Sequence, residues 1–140
     1  MATTSILLVE DDLTDQLAYT RALSQENYPF TSVIASSLTE ARAAMAQVRF
    51  DIIVCDYLLG NDTAFDLLSI AGDTPVVVVT SFGDEDVAVR AMKAGAYDYL
   101  PKPVDVDQVA LLVERIAERQ DLIRENTELK EQLRERYKFD

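Results

Sequence analysis

Ser5-Ile6-Leu7-Leu8-Val9, followed at once by Glu10, Asp11 and Asp12, decides the fold of this chain. A run suited to a buried strand ends abruptly on carboxylates. The pattern recurs along the sequence. Phe50 to Cys55 ends on Asp56, Pro75 to Val79 on Thr80, and Tyr97 to Leu100 on the turn that carries Lys102. Each run is short and rich in β-branched or aromatic residues, and segments with helical spacing lie between them. Strand alternating with helix predicts a parallel sheet with helices on both faces. Such sheets bind ligands beyond the carboxyl ends of their strands, where strand order reverses, so the acids, the hydroxyl and the amine are expected in one site.

A chain of 140 residues has room for one domain with a self-sufficient core and an extension. The single cysteine excludes a disulfide framework, and Cys55, inside an apolar run, reads as a small core residue rather than a reactive thiol. An intracellular, reducing location fits. No stretch approaches the roughly 20 apolar residues of a membrane span, and the start lacks a basic region followed by an apolar one. The expectation is a soluble cytoplasmic protein without a membrane contact. With 25 acidic and 13 basic residues the net charge is -12, which argues against direct nucleic-acid binding by this segment. Proteins and cations are the expected partners. There is no histidine, so no catalytic triad or imidazole metal site can be built from this chain alone.

The first helix is expected to start near Asp12 and run through Leu13, Leu17, Ala18, Arg21 and Ala22 until Asn27 and Pro29 stop it. Phe30 to Ala35 is the second strand. Ser37 and Glu40 form a capping box opening a helix whose apolar face includes Leu38, Ala41, Met45 and Val48. After Asp56 comes a loop with Gly60, Asn61 and Asp62, then a short helix around Phe65 to Ile70, ended by Gly72 and Pro75. A fourth helix follows Asp84 and closes at Gly95, and Pro101 and Pro103 bracket Lys102 on a stiff turn. The last helix starts at Asp105 with Gln108 in the capping-box position, turning Val109, Leu112, Val113 and Ile116 toward the sheet. From Asp121 to Lys138 there is neither glycine nor proline, and Leu122, Asn126, Leu129 and Leu133 fall at d, a, d and a of a heptad. That spacing suits a parallel coiled coil, with a solvated helical tail as the plainer reading.

Chemically, Glu10 and Asp11 after one strand and Asp56 after another make an oxygen-rich pocket suited to Mg2+ or Mn2+. Without a cation their like charges repel and raise one another's pKa. Lys102 supplies a point charge for a phosphate oxygen and Thr80 a hydrogen bond for another. Together they suit a phosphoryl group, with the Asp56 carboxylate as candidate nucleophile. Taken singly, Asp12 reads better as a helix cap than as a ligand, Thr80 as a solvated strand end and Lys102 as a surface lysine. Their conjunction, acid pair, acid, hydroxyl and amine, each at a strand end, carries the argument.

The motifs Leu7-Leu8-Val9-Glu10-Asp11-Asp12, Val54-Cys55-Asp56-Tyr57, Val78-Val79-Thr80-Ser81 and Ala94-Gly95-Ala96-Tyr97-Asp98-Tyr99-Leu100-Pro101-Lys102-Pro103 resemble those of the receiver domain of bacterial two-component response regulators. The likeness covers about Thr4 to Gln120. It implies an α/β fold, a doubly wound, flavodoxin-like five-stranded parallel sheet of order 2-1-3-4-5 with an extended C-terminal helix. It further implies a phosphoacceptor domain over residues 1–120 and a helical linker over 121–140 leading to an output domain that is not in the sequence. By resemblance Asp56 accepts a phosphoryl group from a sensor histidine kinase or phosphotransfer protein, and Asp11, Glu10, Asp56 and the Leu58 carbonyl hold Mg2+. Thr80 and Lys102 grip the phosphoryl oxygens, Tyr99 changes rotamer as Thr80 moves, and the Lys102-Pro103 bond is cis. Leu58 and Phe82 flank the path of the hydrolytic water.

The chain departs from the family pattern where a proline is usual and Gly60 stands, and where a glycine is common and Ala64 stands. The stretch from Asp56 to Thr80 is also short, so the third helix is expected to be short or displaced. The tail, Leu122 through Lys138, resembles the linkers of enhancer-binding transcription activators and suggests a homodimer. The reading is a signalling switch that catalyses its own phosphorylation and dephosphorylation without being a conventional turnover enzyme. Its rivals are an aspartyl-phosphate phosphatase, for which Leu58 offers no proton-returning acid, and a phosphorylation-independent dimerisation module.

Overall fold

The computed structural model describes residues 4–23, 30–81, 85–102 and 105–136. Asn27, Pro29, Phe82, Asp84, Pro103 with its bond to Lys102, and Lys138 lie outside the described residues. In chain order come β1 (Thr4–Val9), α1 (Leu13–Leu23), β2 (Phe30–Ala35), α2 (Leu38–Gln47) and β3 (Ile52–Asp56). A hairpin of β4 (Leu58–Leu59) and β5 (Asp62–Thr63) leads into α3 (Ala64–Leu68). Then follow β6 (Val76–Thr80), α4 (Glu85–Lys93), β7 (Asp98–Pro101) and α5 (Val106–Arg136). The main sheet is parallel throughout, in the order β2-β1-β3-β6-β7. Without the hairpin strands this is the expected order 2-1-3-4-5.

Period-two alternation explains the two cores. Along β1, Ile6 and Leu8 face one side and Leu7 and Val9 the other; β3 and β6, apolar up to their last residues Asp56 and Thr80, divide likewise. One face gathers Ile6, Leu8, Val54, Val77 and Val79 with Tyr19 and Leu23 of α1 and Val109, Leu112, Val113 and Ile116 of α5. The other gathers Leu7, Val9, Ile53, Cys55, Val76 and Val78 with Ala41, Leu67 and Ala91. Cys55 is fully buried, and burial pushes its thiol well above the ordinary range, so it behaves as core.

Caps set the helix ends. Asp12 Oδ2 accepts from Asp15 N–H at 3.1 Å and opens α1; Ser37 Oγ accepts from Glu40 N–H at 3.1 Å and opens α2. The Glu40 carboxylate returns to Ser36 N–H rather than to Ser37, one residue away from the ideal capping box. Asp105 opens α5 by accepting from Asp107 N–H at 2.9 Å. At the end of α4, Gly95 N–H donates to the Met92 carbonyl and Ala96 N–H to the Ala91 carbonyl, the Schellman pattern, with Gly95 at φ 105°. A Cβ at Gly95 would meet nothing within 4 Å, so Gly95→Ala strains only the backbone. We expect a loss of about 1–2 kcal/mol in chemical denaturation. An unchanged midpoint would show that the turn relaxes into another form.

α1 buries Tyr19 and Leu23, whereas Leu13 and Leu17 face solvent. Several expectations need correction. Val48 is exposed because α2 stops at Gln47 and Val48 adopts an extended C-cap backbone, which takes it off the helical face. The third sheet strand begins at Ile52, with Phe50 in the core ahead of it, and the last runs one residue later than read, from Asp98 to Pro101. The loop after Asp56 is a hairpin whose two-residue turn, Gly60-Asn61, has a positive φ at Gly60 only, as a II′ turn requires. α3 is short, as expected, but starts at Ala64 and ends at Leu68.

α5 runs for 31 residues, about 46 Å at 1.5 Å per residue. Its first turns pack on the sheet, and Gln120 Nε2 donates to the Asp51 carbonyl at 3.3 Å. Beyond that bond Leu122, Ile123, Leu129 and Leu133 are exposed. Among the described residues no helix is long and apolar enough to cross a membrane.

Candidate functional site

The carboxyl ends of β1, β3, β6 and β7 form one rim because the parallel ladder runs in register. Val9 pairs with Cys55, Asp56 with Val79, and Thr80 with Pro101. Glu10 continues β1 with an N–H bond to the Ala35 carbonyl at 2.9 Å, and its own carbonyl accepts from Gln16 Nε2. Lys102 N–H bonds the Thr80 carbonyl at 2.7 Å, which extends β7 and aims the lysine back over the sheet end.

The Lys102 Nζ lies 3.1 Å from Asp56 Oδ2, 3.1 Å from Asp15 Oδ2 and 3.5 Å from Glu10 Oε1. Glu10 is 1% exposed and Thr80 is buried, whereas Asp11 stands in solvent at the mouth. Burial, followed by the charge of Asp56, pushes the Glu10 carboxyl up to about 8 against the opposing pull of Lys102. Burial works against the charge of Lys102, yet its hydrogen bonds to Asp15 and Asp56 hold it above the ordinary lysine value. Burial raises Asp15, and its hydrogen bonds to Lys102 and Glu10 together with the charge of Lys102 outweigh that, so Asp15 lies below the usual carboxylate value. The ammonium thus offsets part of a crowd of negative charge.

Glu10, Asp11 and Asp56 bring carboxylate oxygens within 4.8 Å of one another. Glu10 Oε2 is buried without a hydrogen-bond partner among the described residues. An orphaned buried oxygen beside two more acids is costly for the protein alone and fits a hard divalent cation such as Mg2+. Glu10, Asp12 and Asp15 form a second close acidic set, although Asp12 is occupied as the cap of α1.

The sequence-derived residues Glu10, Asp11, Asp56, Thr80 and Lys102 all come to this rim. Leu58 follows two residues after Asp56. The bond from Ala64 N–H to the Tyr57 carbonyl makes Leu58–Thr63 a non-hydrogen-bonded pair, so the Leu58 carbonyl turns away from β5 while its side chain is exposed. Tyr99 sits apart on the edge strand β7 with its ring half-exposed. Asp15 was not anticipated. Its only local signal is an acid three residues after the Asp12 cap, which resembles any acid in a first helical turn.

Residues 6–114 match the family described as response regulator receiver domain. The alginate biosynthesis transcriptional regulatory protein AlgB of Pseudomonas aeruginosa is 38% identical over 110 residues, covering 76% of this chain and 24% of AlgB. The chain likewise covers 19% of the response regulator protein PilR of the same organism, so it spans a quarter or less of these relatives. Among solved structures, NtrX from Brucella abortus superposes with a TM-score of 0.80 at 28% identity, covering 91% of this chain and 30% of NtrX. A response regulator receiver domain protein from Clostridium thermocellum gives 0.76 at 26% identity, covering 86% of this chain and 98% of its own. A sheet of order β2-β1-β3-β6-β7 with acids, hydroxyl and lysine at its carboxyl rim is thus joined to a family match over most of its length: the chain belongs to the response regulator receiver domain family.

Proposed function

We infer that this chain is a cytoplasmic phosphorylation switch in which Asp56 takes a phosphoryl group from a histidine kinase or phosphotransfer protein. The observation that carries this reading is the Lys102 ammonium 3.1 Å from Asp56, with Glu10, Asp11 and Thr80 around the same strand ends. A carboxylate oxygen of Asp56 attacks phosphorus, the donor's phosphorus–nitrogen bond breaks, and the electron pair stays on the donor imidazole. Lys102 moves with the charge, from the Asp56 oxygen to a phosphoryl oxygen, and the Thr80 hydroxyl donates to another. Glu10, Asp11, Asp56 and the Leu58 carbonyl would hold Mg2+, which supplies charge neutralisation for the transfer. Thr80 is the last residue of β6 and Tyr99 lies on the adjacent β7, which supports a path from the hydroxyl to the half-exposed ring and so to an output surface. The test is intact mass after acetyl phosphate and Mg2+, where the full chain gains one phosphoryl group.

Loss of the phosphoryl group needs a water in line with phosphorus. The exposed apolar side chain of Leu58 cannot orient one and offers no acid to a leaving group, which weighs against a phosphatase. The aspartyl phosphate is therefore expected to be long-lived, and Leu58→Asn to shorten its lifetime severalfold. Equal decay of the labelled parent and variant would remove Leu58 from this role.

The tail adds a second element. Leu122, Leu129 and Leu133 are exposed along a helix with Asn126 between them, which supports a parallel homodimer with Asn126 against Asn126. Sedimentation is expected to show a dimer for the full chain and a monomer when it is cut after Gln120. Monomers in both, at high micromolar concentration with or without beryllofluoride, would leave the tail a solvated linker.

A further inference from the structure

Three carboxylate oxygens surround the Lys102 ammonium: Asp56 Oδ2 at 3.1 Å, Asp15 Oδ2 at 3.1 Å and Glu10 Oε1 at 3.5 Å. An ammonium has three N–H donors, so these acceptors use all of them. Glu10 and Asp56 are explained by the cation and the phosphoryl group. Asp15 is not. It lies in the first turn of α1, 87 residues from Lys102 in sequence, and belongs to none of the motifs that mark the site.

Neighbouring hydrogen bonds hold it in place. The Asp12 carboxylate caps the Asp15 N–H at 3.1 Å. The next residue, Gln16, donates through Nε2 to the Glu10 carbonyl and to Ser36 Oγ, pinning the first turn of α1 to the ends of β1 and β2. The Asp15 side chain is 40% exposed and that of Asp56 12%, so the lysine is shared between an outer acid and the inner one that reacts.

We propose that Asp15 is a positioning residue that brakes phosphoryl acceptance, competing with the phosphoryl oxygens for Lys102 and adding negative charge beside the incoming anion. This rests on Asp56 being the phosphoacceptor. With acetyl phosphate as donor, the Asp56 oxygen bonds phosphorus as the phosphorus–acetate bond breaks, and acetate leaves with that electron pair. The phosphoryl oxygens then need a cationic donor that Asp15 already holds. Asp15→Asn keeps an oxygen able to accept from Lys102 but removes the charge, which releases the ammonium toward the phosphoryl group and lessens repulsion of the donor.

The experiment measures initial rates of labelling of the full chain by acetyl phosphate with saturating Mg2+, across donor concentrations and at two salt levels. Asp15→Asn is expected to lower the KM for acetyl phosphate about two- to fivefold, the scale of a partly exposed ion pair. The ratio between variant and parent shrinks toward one at about 1 M salt, where the screening length is roughly 3 Å. Asp15→Glu, which restores the charge, returns KM toward the parent value. A merely structural role would move the thermal midpoint instead and give no salt-dependent KM. Equal KM values in parent and Asp15→Asn at low salt would overturn the proposal, and so would a raised KM, which would mean that Asp15 assists Lys102. A parent chain that takes no label sinks the assignment of Asp56 itself, whereas a labelled parent with either of those KM results sinks only the role of Asp15.

Discussion

Asp56→Asn is expected to remain unlabelled by acetyl phosphate and Mg2+ under conditions that label the parent fully. The substitution is nearly isosteric, and its amide oxygen can still accept from Lys102 Nζ, now 3.1 Å from Asp56 Oδ2, so the rim should keep its shape. What disappears is the nucleophile, since a neutral amide oxygen has no full charge to bring to phosphorus. The variant should also be at least as stable as the parent without cation. Asp56 is one of the causes that push the buried Glu10 carboxyl up to about 8, and removing its charge relieves that repulsion. A gain of a few tenths to about 1 kcal/mol is reasonable for one such contact. Labelling of Asp56→Asn as complete as that of the parent would move the phosphoacceptor elsewhere, and peptide mapping would then find it.

Asp11→Ala should abolish Mg2+ binding and phosphorylation together while the fold persists. Asp11 is exposed at the mouth, so its side chain supports no core packing, yet its oxygen lies within 4.8 Å of those of Glu10 and Asp56. In the parent, Mg2+ at 100 times its dissociation constant should add about 2.7 kcal/mol to unfolding stability, because it binds only the folded chain. In the variant that increment should vanish. Without Mg2+ the variant should equal or exceed the parent, since one like charge has left the cluster. An undiminished Mg2+ shift in the melting curve of Asp11→Ala would take Asp11 out of the ligand set.

Much of the architecture could be read from residues because strand and site signals coincide. The apolar runs that end at Val9, Cys55 and Val79 are buried on both faces, so no alternation blurs them, and the polar residue that follows each marks where the sheet meets the rim. Gly95 and the α5 face of Val109, Leu112, Val113 and Ile116 were legible for similar reasons: one needs a positive φ, the other keeps helical spacing. The hairpin was not. Gly60-Asn61 is a turn signal, but the strands on either side have two residues each, too short for any periodicity to register. Which side of α1 is buried was not legible either, because the helix carries apolar residues on more than one side and only packing chooses Tyr19 and Leu23 over Leu13 and Leu17. Asp15 was hidden differently, since its partner is 87 residues away and nothing local distinguishes it from an ordinary helical acid.

The unbroken length of α5 has a mechanical consequence. Its first turns are clamped against the sheet and Gln120 is tied to Asp51, while Ile123 and Arg124 still border the body and the turns beyond them are exposed. From Gln120 to Arg136 the free arm measures about 24 Å. A tilt of about 10° at the clamp would carry the far end roughly 4 Å sideways, by the geometry of a rigid rod at that rise per residue. About a fulcrum near Gln120 the same tilt moves Ile116, four residues back, by roughly 1 Å, so the helix has the geometry of a lever that enlarges a shift at Ile116 about fourfold at its tip.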